Sequence, residues 1–514
     1  MVVSSCRSCF YSSKVQLNKL ICLVYQTVSS YLPRKSCPSL STSNKLISTL
    51  LAFLKWAPRK KTVNDLPYEC LAHIFCQTLC PSGSPNYAPT FTPFFSAECR
   101  QDPFLLGQVC RKWRIIALRA SELWCSITII HPDPCHVHRA ELWMQRSGGR
   151  AISITLRQSP HPTVVELDAT QVLLALFSTR ADVWQSIDLV LNGQFPYIIL
   201  PRLRDLSGKQ TCKLIEVTLS LHSRLPAPPA QEWDVPVAHL WNLLQSIPSI
   251  VSFKWDAAVV GSSRVGNNLN FVDIKAPISM EMLLSNVIHS PETLQNVVIH
   301  KLSLPSSYPL YSIEPTIYPH LTVLDITATT FTSDISSLLR SLTLPSLTYL
   351  TLAYVEHNLI VHVADLIHRS RCTINVFAIK IPNFTESEIM EWLNLEGLKQ
   401  ITCLILEGPI TNNVLRAFHR PAQYGHQVCY FPNLRRLGLG RCVATIDNDL
   451  LLRMLGSRLW SLPYITGPQL PATELELACI TVHEVTAKHE AYAAMIKQTT
   501  QGTSRGLREL EILA

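Results

Sequence analysis

A three-point apolar signature, apolar-x-x-apolar-x-apolar, recurs along the second half of this chain and limits its fold more than any other feature. It stands at Leu294/Val297/Ile299, Leu321/Leu324/Ile326, Leu347/Leu350/Leu352, Ile374/Phe377/Ile379, Ile401/Leu404/Leu406 and Leu434/Leu437/Leu439. Successive starts are separated by 27, 26, 27, 27 and 33 residues. The last two positions alternate with other residues, as a short half-buried strand requires. Between copies, helical spacing predicts helices over 335–342, 359–368, 389–395, 414–418 and 450–455. Thr385-Glu-Ser-Glu388 has capping-box spacing ahead of one of them. Pro248, Pro319, Pro345 and Pro432 sit two residues before a copy, where proline ends a helix and favours extended chain.

A period in the twenties with this triplet resembles the leucine-rich repeat. The resemblance implies an α/β repeat solenoid, strand plus helix per unit, with strands on the concave side. Weaker copies start at Trp184, Leu214, Ile250, Ala472 and Leu507, so the array is expected over 181–514. The position three after the triplet is filled as in the family only by Cys442. Elsewhere it holds Leu302, Thr329, Val355, Pro382 and Pro409, which predicts an irregular array. The longer spacings near 250 and over 434–507 predict inserted loops. Side chains alternate along a strand, so residues between and after the last two triplet positions should face out of the concave sheet. They are Val298 and His300, Asp325 and Thr327, Thr351 and Ala353, Ala378 and Lys380, and Ile405 and Glu407, with Tyr349 and Arg436 nearby. From these, Asp325, Tyr349, Thr351, Lys380, Glu407 and Arg436 form the candidate target-binding set. The mixture of acid, base and aromatic suits a protein surface; a phosphate backbone would call for aligned Lys and Arg.

Ahead of the array, residues 64–126 have a helical texture. Asn64 and Asp65 are N-cap types, and Leu66-Pro67 follows. Cys70, Leu71, Ile74, Phe75 and Leu79 then recur at helical spacing. Leu105, Leu106, Val109, Cys110 and Trp113 make a second stripe, closed by Leu123-Trp124. The order Leu66-Pro67-Tyr68-Glu69, then Val109-Cys110-Arg111-Lys112-Trp113-Arg114, then Leu123-Trp124 resembles an F-box, with a longer loop at 81–101. The resemblance implies a small all-α module docking on the SKP adaptor of a cullin–RING ubiquitin ligase. Its adaptor-binding residues would come from Leu66, Pro67, Ile74, Phe75, Leu105, Leu106, Val109, Cys110, Trp113, Leu123 and Trp124. So small a segment buries its own apolar surface poorly, and surplus apolar surface marks a partner site. Packing against the following domain is the alternative use of the same residues.

Composition narrows the function. At 47% hydrophobic and 16% charged, the chain is not of the disordered class. The net charge of +8 is uneven: residues 1–63 hold ten Lys/Arg and no Asp or Glu, leaving 35 basic against 37 acidic residues in the rest. A near-neutral body argues against nucleic-acid binding. The tail reads as flexible, with targeting as the minor alternative. Seventeen cysteines without framework spacing read as reduced thiols, which places the protein in the cytoplasm or nucleus. No run of about 20 uncharged apolar residues predicts a membrane span.

The remaining motifs complete no metal or catalytic site. Cys6-Arg-Ser-Cys9 lacks a second ligand pair, and His131, Cys135, His136 and His138, in the stretch 127–180 read as a connector, lack a completing carboxylate. Residues 140–148 read as a helix ended by Gly148-Gly149. Gly438-Leu-Gly440 lies in a repeat strand and reads as close packing, not a phosphate cradle. Glu386 and Glu388 suit a helix start. No catalytic residue, metal or other cofactor is assigned. The expected role is a non-catalytic substrate receptor binding adaptor, through it cullin, and an unknown target protein. A scaffold without a role in ubiquitination is the alternative.

Overall fold

The computed structural model describes residues 66–79, 103–192, 213–222, 230–263, 268–288, 291–303, 316–328, 335–353, 359–380, 384–419, 430–442, 446–459, 475, 477–481 and 509–513. The basic tail, the Cys6–Cys9 pair and the loop at 81–101 lie outside the described residues. The chain divides into two compact units at Ile250/Val251.

The first unit opens with helices α1 (Tyr68–Leu79), α2 (Pro103–Val109) and α3 (Arg111–Arg119) and a 3-10 turn at Ser121–Trp124. Strand and helix then alternate: β1 (Ser126–Ile130), α4 (Pro134–Arg146), β2 (Ile152–Arg157), α5 (Val164–Ser178), β3 (Trp184–Asn192), β4 (Glu216–His222) and α6 (Ala230–Gln245). The four strands pair in parallel in chain order. Crossovers between consecutive parallel strands are right-handed as a rule, which brings the connecting helices to one face of the sheet.

The expected self-standing all-α module is not found. Trp124 leads straight into β1, and the helical segment closes on the first strand–helix unit. Trp124 meets Phe104 edge-on at 5.1 Å and Trp143 of α4 at 4.8 Å. The Arg146 guanidinium lies 4.6 Å from the Trp124 ring centre and 4.9 Å from that of Phe104. The stretch read as a connector therefore carries β1, β2, α4 and α5, and the α/β alternation starts at Ser126 instead of 181. Ser126-Ile-Thr-Ile-Ile alternates in sequence, and the strand is buried on both faces, Ser126 and Thr128 as well as Ile127 and Ile129. Helix α4 also begins earlier than 140. Asp133 caps it by accepting from Cys135 N at 2.9 Å, and His136 Nδ1 accepts from Asp133 N at 3.0 Å. Gly148 and Gly149, at φ +63° and +77°, terminate it.

The second unit carries β5 (Ser252–Asp256), β6 (Phe271–Ile274), β7 (Asn296–Ser303), β8 (Val323–Ala328), α7 (Ile335–Ser341), β9 (Tyr349–Ala353), α8 (Leu359–Ser370), β10 (Val376–Lys380), α9 (Glu386–Asn394), β11 (Cys403–Ile410), α10 (Asn412–Phe418), β12 (Arg436–Cys442), α11 (Asn448–Leu459), β13 (Leu477–Thr481) and β14 (Glu509–Leu513). These strands also pair in parallel in chain order. The triplets set the register: Val297, Leu324, Leu350, Phe377, Leu404, Leu437, Ala478 and Leu510 are successive partners. The copy expected at Ala472 starts instead at Leu475, since Ala478 and Ile480 are the buried strand residues. A further copy, Leu269/Val272/Ile274, falls between Ile250 and Leu294 and forms β6. Much of the long spacing there is thus another repeat.

The capping box is formed as the spacing predicts: Glu388 N donates to Thr385 Oγ1 and Thr385 N donates to Glu388 Oε2. Buried Arg458 of α11 ties its repeat to the preceding loop, donating from Nε to the Phe418 carbonyl at 2.8 Å and from Nη1 to that of Phe431 at 2.9 Å.

Candidate functional site

Two surfaces bear on the expected partners. The first is the helical segment. Phe75 of α1 packs on Trp113 of α3 with ring centres 4.7 Å apart. Lys112 Nζ donates to the Leu66 carbonyl at 2.9 Å, and Arg114 Nε to that of Gly107 at 2.7 Å, so α3 is bonded to the start of α1 and to α2. Trp124 Nε1 donates to the Ala117 carbonyl at 2.8 Å. Leu66, Phe75, Leu105, Leu106, Trp113, Leu123 and Trp124 are all buried within the chain. Ile74, Val109 and Cys110 are part-buried, and Pro67 is exposed. Cys110 Sγ accepts from Trp113 N at 3.4 Å and so caps α3.

The apolar surplus inferred for these residues is therefore mostly consumed inside the fold. What remains outside on α3 is Ile115, 41% exposed, and Leu118, 44% exposed. They stand three residues apart, on one helical face. Motif reading missed both because it followed the buried stripe; their signal was the off-phase position in Arg114-Ile-Ile-Ala-Leu118.

The second surface is the open face of the second unit. Register sets its side chains in rows across the strands. One row runs Lys254, Asp273, Val298, Asp325, Thr351, Ala378, Ile405, Gly438. The next includes Thr327, Ala353, Lys380, Glu407 and Gly440. A third brings Tyr349 into line with Val376, Cys403 and Arg436. Of the six expected target-binding residues, Asp325, Tyr349, Lys380 and Glu407 are half-buried, Arg436 is exposed, and Thr351 is buried.

The charges in these rows are unequally matched. His300 Nε2 lies 3.0 Å from Asp273 Oδ1, and Lys380 Nζ lies 3.7 Å from Glu407 Oε2. Lys254 holds its ammonium over the Phe271 ring at 5.1 Å. Asp325 accepts no hydrogen bond among the described residues. Burial pushes its carboxyl above the ordinary carboxylate range, while His300 and Lys380 pull it down and Asp273 pushes it up. Beside it, the Thr351 hydroxyl is shut off from solvent without a hydrogen-bond partner. Asp273 was missed in the sequence because its repeat was missed, although it occupies the same place between Val272 and Ile274 that Asp325 occupies between Leu324 and Ile326.

Gly438 and Gly440 lie on this face against Ile405 and Glu407. A Cβ on Gly438 would stand 3.4 Å from Ile405 side-chain carbons, so the pair of glycines serves close packing between strands.

No protein-family model matches the chain, and no curated protein matches it in sequence. Among the described residues, no helix is long and apolar enough to cross a membrane.

Proposed function

We propose that the chain is the substrate-recognition subunit of an SCF-type cullin–RING ubiquitin ligase, docking the SKP adaptor through the segment Leu66–Trp124 and a target protein through the open sheet face. The observation that carries this reading is the order of elements. An F-box-like sequence, packed as helices that keep Ile115 and Leu118 at the surface, precedes a parallel array whose helices occupy only one face. Adaptor contact falls to α3 and the exposed Pro67, since a docking surface needs apolar side chains that the fold itself has not buried. Target contact falls to the rows around Asp325 and Thr351. The mechanism is proximity: the receptor performs no bond chemistry and raises the target's effective concentration at the ubiquitin-loaded enzyme.

Co-expression with the SKP adaptor and cullin tests the reading. Ile115→Asp and Leu118→Asp, both at exposed positions, should lower adaptor co-purification more than tenfold while the melting temperature holds. Trp113→Ala is a poorer probe, because removing a buried tryptophan costs about 3–5 kcal/mol of stability on its own. Adaptor capture unaffected by both aspartate variants sinks the docking assignment. Capture of adaptor without cullin would instead favour a scaffold outside ubiquitination.

A further inference from the structure

We infer that the outer face of α3 receives an acidic partner segment, its apolar side chains seated on Ile115 and Leu118 and its flanking Asp or Glu carboxylates on the guanidinium groups of Arg111, Arg114 and Arg119. This rests on the reading that α3 docks the adaptor, and it names the chemistry of the adaptor surface that α3 meets.

Arg111, Arg114, Ile115, Leu118 and Arg119 are all exposed. Their spacing, i, i+3, i+4, i+7 and i+8, sets them on one side of the helix. The opposite side, with Trp113, Ile116 and Ala117, is buried, and α3 contains no acidic residue. Lys112 is used inside the fold, on the Leu66 carbonyl. The guanidinium groups of Arg111 and Arg119 make no hydrogen bond or ion pair among the described residues. Arg114 gives only Nε, to the Gly107 carbonyl at 2.7 Å. That bond steadies the group and leaves both Nη atoms for the end-on fork that a carboxylate fits. Of the acids near this face, Glu122 is held by Arg150 at 2.5 Å. Glu69 and Arg119 both act electrostatically on the Tyr68 phenol, so the Arg119 end already has a carboxylate near it. Arg111 and Arg114 are therefore the sharper probes.

The helix itself gives no reason for these two cations. They lie in or next to the first turn of α3, at the positive end of its dipole, where basic groups are unfavourable and an anion is favoured. Charge and apolar surface together select the occupant. A phosphate backbone would use the arginines and leave Ile115 and Leu118 idle. A purely apolar segment would leave the guanidinium groups unmatched. An anionic membrane surface calls for a broader apolar face than two side chains. A protein segment with apolar residues between carboxylates meets both demands.

The test uses the full chain and immobilised peptides that carry two leucines three positions apart, flanked by glutamate, glutamine or lysine, in low salt. The intact chain should retain glutamate peptides at least about tenfold better than glutamine peptides, and the difference should shrink as salt rises. Arg111→Glu combined with Arg114→Glu should remove that preference and turn it toward lysine peptides. The melting temperature should hold or rise, since both changes suit the dipole. Arg111→Gln, which leaves the Gly107 bond in place, should lower the preference in the same direction. No preference in the intact chain, or a glutamate preference that survives the double change, overturns the inference. So does retention on phosphatidylserine vesicles that exceeds retention on glutamate peptides and disappears with the double change, which would make lipid the occupant. Co-purification of the SKP adaptor from the same preparations separates the two ideas. Adaptor capture that the double change leaves untouched sinks this inference and spares the ligase reading, and glutamate preference without adaptor capture sinks the ligase reading alone.

Discussion

Gly440 faces Glu407 across neighbouring strands with no space for a side chain: a Cβ built on it would stand 2.9 Å from Glu407 Cγ and 3.5 Å from its Cα. Gly440→Ala should therefore swing Glu407 away from Lys380. The pair is partly exposed and worth about 0–1 kcal/mol, so stability should change little. The loss should appear as coupling. A double-mutant cycle between Lys380→Met and Glu407→Gln should give a measurable interaction in the parent and none in the Gly440→Ala background.

Gly397 presents a harder limit. A Cβ there would lie 2.7 Å from Ile367 Cγ2, and Ile367 is buried. Gly397→Ala should cost about 1–3 kcal/mol by overpacking. Adding Ile367→Val would keep Cγ2 but remove Cδ1, the atom at 3.0 Å, and should recover only part of that loss in denaturant melts. Full recovery would place the strain elsewhere.

Arg458 is 3% exposed and donates to the carbonyls of Phe418, Tyr430 and Phe431. Hydrogen bonds from a charged group contribute about 1.5–3 kcal/mol each. Arg458→Met leaves these carbonyls without that donor and should lower stability by more than about 2 kcal/mol. Hydrogen exchange should rise first in α10 and α11, whose connection the guanidinium holds.

The pH dependence of Asp325 has a definite sign. Its carboxyl is raised above the ordinary aspartate range, chiefly by burial and further by Asp273, against the pull of His300 and Lys380. The fold thus favours the protonated form. Its destabilising effect is absent below the unfolded value and complete above the folded one. Asp325→Asn should accordingly gain stability relative to the parent as pH rises through that window, in equilibrium denaturation. A variant advantage that shrinks with rising pH would contradict the burial of this group.

Much of the strand register could be read from sequence because each strand buries one face. Leu324, Leu350, Phe377, Leu404 and Leu437 can sit on the helix side only in one phase. Ala478 broke the pattern because a small residue carries little apolar signal, and Leu475-x-Leu477 offered a false phase three residues early. The fate of Leu66, Phe75 and Trp113 was not readable. Phe75 and Trp113 pack on each other across the long loop, and the burial of Trp124 depends on Trp143 and Arg146, which belong to a helix that the sequence showed only in part and assigned to a connector. The contacts of Arg458 and the unpartnered hydroxyl of Thr351 depend on residues 26 to 40 positions away, which no local spacing encodes.

The rows of the open face run across the chain direction. Asp273, Asp325, Thr351 and Lys380 are neighbours in space, yet each comes from a different strand. No contiguous stretch of this polypeptide contains the proposed recognition surface. Synthetic fragments of the chain should therefore fail as decoys for a target bound at that proposed surface, and antibodies raised against such fragments should fail to block it. Inhibition will require a ligand that spans several strands at once.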